Sequence, residues 1–336
     1  MPYSVLAHAP VGLLPVVIFL GVLVYMDSYK LLRLRVVLWV IALGGATAVA
    51  SYFANGFLIT HVGLGFLEYS RYVAPVVEET LKGLAMVYLF RSNRIGFLVD
   101  AAILGFAVGA GFAVVENFYY LYSAGSTSMG VWIVRGFGTA IMHGGVTALF
   151  GVMAQTLTER SMKINPVFYL PGLLLASLLH SVFNHFPGSP ILASMGTLMV
   201  LPPIFYLIFQ RSARAMHAWL EVDFDADAEL LELINSQEFS NSRIGMFLND
   251  LRTKFEGPVV VDMLCYLRIY TELAVRAKGV LMMRENGLDA PVGERTREKF
   301  QELRYLEKSI GKTGVLAMKP FLQMERKDLW QLNVLE

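Results

Sequence analysis

The chain has 336 residues, 55% of them hydrophobic and 16% charged, with a formal net charge of +1. Its mean hydropathy of +0.53 is too high for a water-soluble globule of this size. No basic tract or stacking pattern points to nucleic acid, and a single cysteine, Cys265, excludes an intrachain disulfide or a thiolate cluster.

Charge is distributed unevenly. Residues 1–209 hold 17 of the 55 charged side chains, so the chain divides near Gln210 into a membrane body (1–209) and a polar tail (210–336). Apolar runs able to span ~30 Å of hydrocarbon fall at about 10–26, 36–60, 73–90, 97–122, 131–157, 166–186 and 189–209. The expected fold is therefore all-α and polytopic, with about seven transmembrane helices and a C-terminal cytosolic helical domain. The first run lacks a basic n-region and a cleavage site, and reads as an anchor rather than a removed signal peptide. Asn55-Gly56 is a point where the second span can end early.

Basic residues set an orientation. Lys30, Arg33 and Arg35 follow span one, Arg91 and Arg94 span three, Arg160 and Lys163 span five, and Arg211 and Arg214 span seven. The opposite side offers Arg71. Positive loops lie on the cytoplasmic side, which places the amino terminus outside and the tail inside, as for a plasma-membrane protein of a prokaryote. In the tail, "DAELLELINSQEF" and "VVVDMLCYLRIYTELAVRAKGVLMM" repeat apolar residues at three- and four-residue intervals. "ENGLDAPVGERTREKFQELRYLEKSIG" reads as a turn-rich linker followed by an amphipathic helix. No catalytic signature stands out there.

The spans carry a short set of anomalies. "APVVEETLKGLAMVYLF" (74–90) holds Glu78, Glu79 and Lys82; "GFAVVENFYYLY" holds Glu116 and Asn117; "GTAIMHGGVTALFG" holds His143; "LLASLLHSVFNHF" holds His180, Asn184 and His185. An ionisable group near the bilayer centre costs about 2.5–3.5 kcal/mol on insertion scales, so each needs a reason. The topology puts Glu78, Glu79, Glu116, His180 and Asn184 in the outer half of the membrane and His143 deeper. Lys82 lies i+4 from Glu78 and i+3 from Glu79, so it can serve one of them and leave the other for chemistry. His180 and Asn184 share a face, whereas His185 points elsewhere; Glu116 and Tyr120 share another. Arg135 pairs with a carboxylate or reaches headgroups, and Asp100 snorkels or caps its helix. "GFAVGAG" (105–111) reads as close helix packing, and "FYYLY" (118–122) as an interface belt.

A glutamate beside a histidine can take a proton from water and return it to a leaving amine. A histidine with an asparagine can donate hydrogen bonds to the oxyanion formed when that water attacks a carbonyl. The set is that of an amide-bond hydrolase at a wet cavity in the membrane, acting on a membrane-protein substrate.

"EETLK" (78–82), "EN" (116–117), His143 and "HSVFN" (180–184) resemble, in order, the motifs of the PrsW family of intramembrane proteases, related to the CAAX-prenyl-endopeptidase and bacteriocin-processing superfamily. The resemblance covers about residues 70–190. It implies that Glu78 or Glu79 with His143 activates water and that His180 and Asn184 bind the oxyanion, with Lys82, Glu116 and Asn117 in support. It also implies site-one cleavage, as of an anti-sigma factor, on the extracytoplasmic side. Two positions depart from the superfamily pattern. Gly83 stands where an arginine is expected, so Lys82 takes its part, and Thr139 stands where a phenylalanine is expected, with Phe137 two residues earlier.

Rival readings remain at this level. No cofactor is favoured, but Glu78 or Glu79 (Glu79 in the preferred set), His143 and His180 can supply three ligands to Zn²⁺ and leave water in the fourth place; no HExxH pair exists. Intramembrane acids and imidazoles also build proton relays in transporters, although no inverted repeat is visible here. A non-catalytic membrane scaffold is the third class. Oligomeric state is not legible in the chain.

Overall fold

The computed structural model describes residues 3–123, 128–159, 165–288, 293–322 and 330–335, and among these every regular element is helical. The chain forms two compact units, Met1–Ala213 and Arg214–Glu336.

The first unit contains α1 (Tyr3–Met26), α2 (Leu34–Ile59), α3 (Phe66–Glu68), α4 (Ala74–Arg91), α5 (Leu98–Ser123), α6 (Met129–Ile133), α7 (Ala140–Thr158), α8 (Leu170–Asn184) and the first part of α9 (Pro190–Asn235). Two π turns, Tyr69–Val73 and Val134–Thr139, join α3 to α4 and α6 to α7 without a break. Among the described residues, six helical segments are long and apolar enough to cross a membrane: His8–Met26, Leu34–Ile59, Leu98–Ser123, Met129–Thr158, Pro166–Asn184 and Pro190–Asn235. The remaining expected span is α4, whose 18 residues include Glu78, Glu79, Lys82 and Arg91. The protein is an integral membrane protein.

Three boundaries differ from the hydropathy reading. Helix α2 runs through Asn55-Gly56 to Ile59; Asn55 bonds the Ser51 hydroxyl one turn back at 3.1 Å, so it sits in the helix rather than ending it. The third span is helical from Phe66, well before residue 73. The seventh continues past 209 to Asn235. Arg160 and Lys163 lie outside the described residues, as does the 124–127 connection.

Helix α5 is the core. Every residue from Leu98 to Ala113 is buried, and the helix packs against α1, α2, α4 and α7. An all-round apolar surface is what a helix enclosed by others requires. Without a hydrophobic drive inside lipid, close backbone approach through small residues does the packing. A Cβ on Gly109 would meet the His143 carbonyl oxygen at 2.2 Å, so the glycine-rich stretch of α5 is what lets α7 bring His143 inward. Asp100 caps its own helix, accepting from the Gly96 and Phe97 amides at 2.9 and 3.0 Å.

The second unit holds the end of α9, α10 (Arg243–Leu251), α11 (Gly257–Glu285) and α12 (Glu294–Met318). Ser242 caps α10 by accepting from Gly245 N at 3.1 Å. The buried Lys278 donates to Asp227 Oδ2 at 2.7 Å and to the Asp223 carbonyl at 3.0 Å, which compensates a charge that is otherwise costly to bury. Helix α12 kinks at Gly311, whose φ of +66° suits a residue without Cβ. Residues 289–292 of the expected linker lie outside the described residues.

Candidate active site

The site is built on the junction of the first π turn with α4. The Ala74 amide bonds back to the Tyr69 carbonyl, and Pro75 has no amide to give, so the Ser70 and Arg71 carbonyls lose their helical partners. Helix α8 supplies replacements: Asn184 Nδ2 donates to Ser70 O at 2.9 Å, and Ser181 Oγ to Arg71 O at 2.6 Å. These bonds dock α8 on α4 and set His180 beside the glutamates.

Lys82 is fully buried and lies 2.6 Å from Glu79 Oε1. The same ammonium donates to His143 Nδ1 at 3.0 Å. An ammonium has no acceptor, so the ring proton of a neutral His143 resides on Nε2, which faces Glu116 Oε2 at 3.3 Å. His180 Nδ1 lies 2.8 Å from Glu79 Oε1; a carboxylate only accepts, so Nδ1 carries a proton, and in the neutral form of the ring Nε2 is the bare nitrogen. The same Glu116 oxygen, Oε2, is approached by Arg135 Nη2 at 3.1 Å. Arg135 also donates from Nε to Asn117 Oδ1 at 2.8 Å and lies over the Tyr120 ring, 3.6 Å from its centroid. Asn117 ties this group to α1 through the Gly12 carbonyl at 2.7 Å.

Glu78 is different. Its Oε1 accepts from Asn55 Nδ2 at 3.3 Å, and its Oε2 lies 3.9 Å from His180 Nε2. Among the described residues no lysine or arginine pairs with it: Lys82 serves Glu79 and Arg135 serves Glu116.

Both π turns act on register. Tyr69 stands nine residues before Glu78, about 180° away on an unbroken α-helix; the residue absorbed by the π turn brings it to about 80°. Arg135 stands eight residues before His143, and the same correction moves it from about 80° to about 20° off that face. Tyr69, the first residue of one π region, and Arg135, the second of the other, thus reach the site.

These groups surround a cavity of about 770 Å³ lined by, among others, Glu78, Glu116, His143, His180, Asn184 and Arg135. Glu79, Lys82 and Asn117 are buried behind it. Thr139 lines it, whereas Phe137 faces a separate apolar groove beside Pro10 and Phe205. The aromatic wall beside His143 comes from Phe112, ring centroids 4.9 Å apart. Gly83 faces Phe150 and Leu173 and lies away from the cavity. His185 bonds its own helix at the Ser181 carbonyl, 2.7 Å away. The aromatic run is divided: Tyr119 and Tyr120 line the cavity while Tyr122 is exposed. Sequence reading missed Asn55 and Tyr69; it expected Arg135 to pair with a carboxylate or reach headgroups, and the carboxylate is that of Glu116.

One carboxylate and two imidazoles, from Glu78, His143 and His180, present ligand atoms all within 4.8 Å of one another. By donor type and spacing this set fits a three-ligand catalytic metal site. Glu79, the glutamate of the preferred sequence-based set, is instead engaged by Lys82 and His180.

A family model described as "PrsW family intramembrane metalloprotease" matches residues 33–209. Searches of curated proteins and of solved structures return no match. With more than half of the 336 residues covered, the chain belongs to the PrsW family of intramembrane proteases.

Proposed function

We propose that the chain is an endopeptidase for membrane-protein substrates in which Glu78 takes the proton from the attacking water. The observation that carries this is the charge pairing. Of the three carboxylates in this cluster, Glu79 and Glu116 have cationic partners and Glu78 has an amide and an imidazole instead. A water donating one proton to Glu78 Oε2 and the other to the bare Nε2 of His180 would present its lone pairs to a scissile carbonyl. Attack transfers the first proton to Glu78, which returns it to the leaving amine nitrogen. The tautomers favour exchanging the roles expected of the two histidines. His180 is the acceptor, and His143, with its proton on Nε2, is the imidazole that can donate to an oxyanion. Asn184 has one N–H engaged by Ser70 and one left for the same purpose.

A metal-assisted reading is favoured by the 4.8 Å ligand set. Glu78, His143 and His180 would hold the ion, which would supply Lewis acidity and a lowered water pKa. Against it, ligation through His143 Nε2 requires the ring proton on Nδ1, where Lys82 donates at 3.0 Å. The amino terminus lies outside, residues 1–209 form the protease core and 210–336 a cytosolic domain; an anti-sigma factor is the substrate class that family likeness suggests.

The test is terminus mapping of membranes from cells making the wild-type chain or Glu78→Gln. New peptide termini should be present with the first and absent with the second at equal folded protein. Equal termini in both would remove Glu78 as the base.

A further inference from the structure

Helix α2 carries no charged side chain after Arg35, yet it contributes a polar pair to the site. Asn55 lies against Glu78 from the far side of the cavity, its Nδ2 3.3 Å from Glu78 Oε1. Tyr69, only 3% exposed, donates from its hydroxyl to Asn55 Oδ1 at 2.8 Å. Ser51, also buried, accepts from the same Nδ2 at 3.1 Å. Each bond constrains the next. The Tyr69 hydroxyl fixes the Asn55 amide with its oxygen toward Tyr69 and its nitrogen toward Glu78. The amide engages Oε1, so Oε2 is the oxygen turned toward His180 at 3.9 Å.

We propose that Asn55 and Tyr69 are positioning residues: they hold Glu78 with one defined oxygen facing His180, and the π turn at Tyr69–Val73 exists in this chain to bring Tyr69 to that task. On an unbroken helix Tyr69 would point about 180° from Glu78, outside reach of α2's amide. The inference rests on Glu78 being the base. Misplacing a reacting group by an ångström is enough to slow a reaction about a hundredfold, so the pair acts on rate with little demand on overall stability.

The experiment uses the full-length chain. Termini lost with Glu78→Gln serve as the reporter, and their rate of appearance after induction is compared at equal amounts of folded protein. Asn55→Ala should slow the reporter roughly ten- to a hundredfold, in the range of a hydrogen bond to a charged group, and Tyr69→Phe, which keeps the ring and removes a bond to a neutral amide, about two- to tenfold. Their combination should slow it little further, because both act through one amide. Thermal unfolding supplies a measurement independent of activity. Asn55→Asp sets a carboxylate against Glu78 and should lower the melting temperature; Asn55→Asp with Glu78→Gln restores a donor–acceptor pair and should recover it. Wild-type rates for Tyr69→Phe and Asn55→Ala would overturn the proposal, as would rate losses that only follow lost folded protein, or a swap that recovers nothing. If Glu78→Gln keeps full activity, the reading of the base fails separately, while the swap still reports whether the Asn55–Glu78 bond exists.

Discussion

Lys82 Nζ sits 2.6 Å from Glu79 Oε1 and 3.0 Å from His143 Nδ1, joining the third expected span to the fifth through one buried ammonium. The arrangement neutralises Glu79, fixes the His143 tautomer and leaves Glu78 as the unmatched acid. Much of the chemistry follows from where that single cation goes.

Lys82→Met leaves Glu79 charged and buried without a cation. Breaking a buried ion pair in this way costs about 3–5 kcal/mol, so a marked drop in melting temperature in detergent is expected, with loss of cleavage. Lys82→Met combined with Glu79→Gln should recover much of the stability and none of the normal His143 tautomer. Unfolding curves of the single and double variants check this; a fully stable Lys82→Met would contradict it.

Arg135 and Glu116 should be energetically coupled. Each single truncation, Arg135→Gln or Glu116→Gln, is expected to reduce cleavage, and the double variant to lose less than the sum. A coupling of roughly 0.5–3 kcal/mol is the range for residues in direct contact. A double-mutant cycle read in both melting temperature and rate measures it, and strict additivity would show that the 3.1 Å contact carries no energy.

Metal content separates the two hydrolytic readings. Elemental analysis of purified chain, followed by stripping with a membrane-permeant chelator, is expected to leave cleavage intact at far less than one zinc per chain. One bound zinc per chain, with activity lost on stripping and regained on readdition, would establish the metal-assisted reading. In that case His143→Ala should also abolish zinc binding.

The motif residues were legible because hydrocarbon makes them conspicuous: Glu78, Glu79, His143 and His180 each interrupt an apolar run. Close packing through the glycines of α5 was legible for the same reason, since small residues in a span have few other uses. Asn55 was hidden by its neighbour Gly56, a pair that reads as a helix end when nothing shows that Ser51 and Glu78 hold the amide inside the helix. Tyr69 was hidden by register. A π turn adds one residue without a sequence signature, and a constant 100° step then assigns the wrong face.

Composition and hydropathy alone determined that this chain is a helical membrane protein with a polar tail, and the order of its acids and imidazoles determined the family it resembles. Those properties are sums over residues or short spacings, so no partner needs to be known. Which glutamate has no lysine or arginine beside it among the described residues, which histidine nitrogen faces which neighbour, and which oxygen of Glu78 faces His180 were decided by tertiary structure. Each depends on a group arriving from another helix within hydrogen-bond distance, and one-dimensional spacing does not specify that.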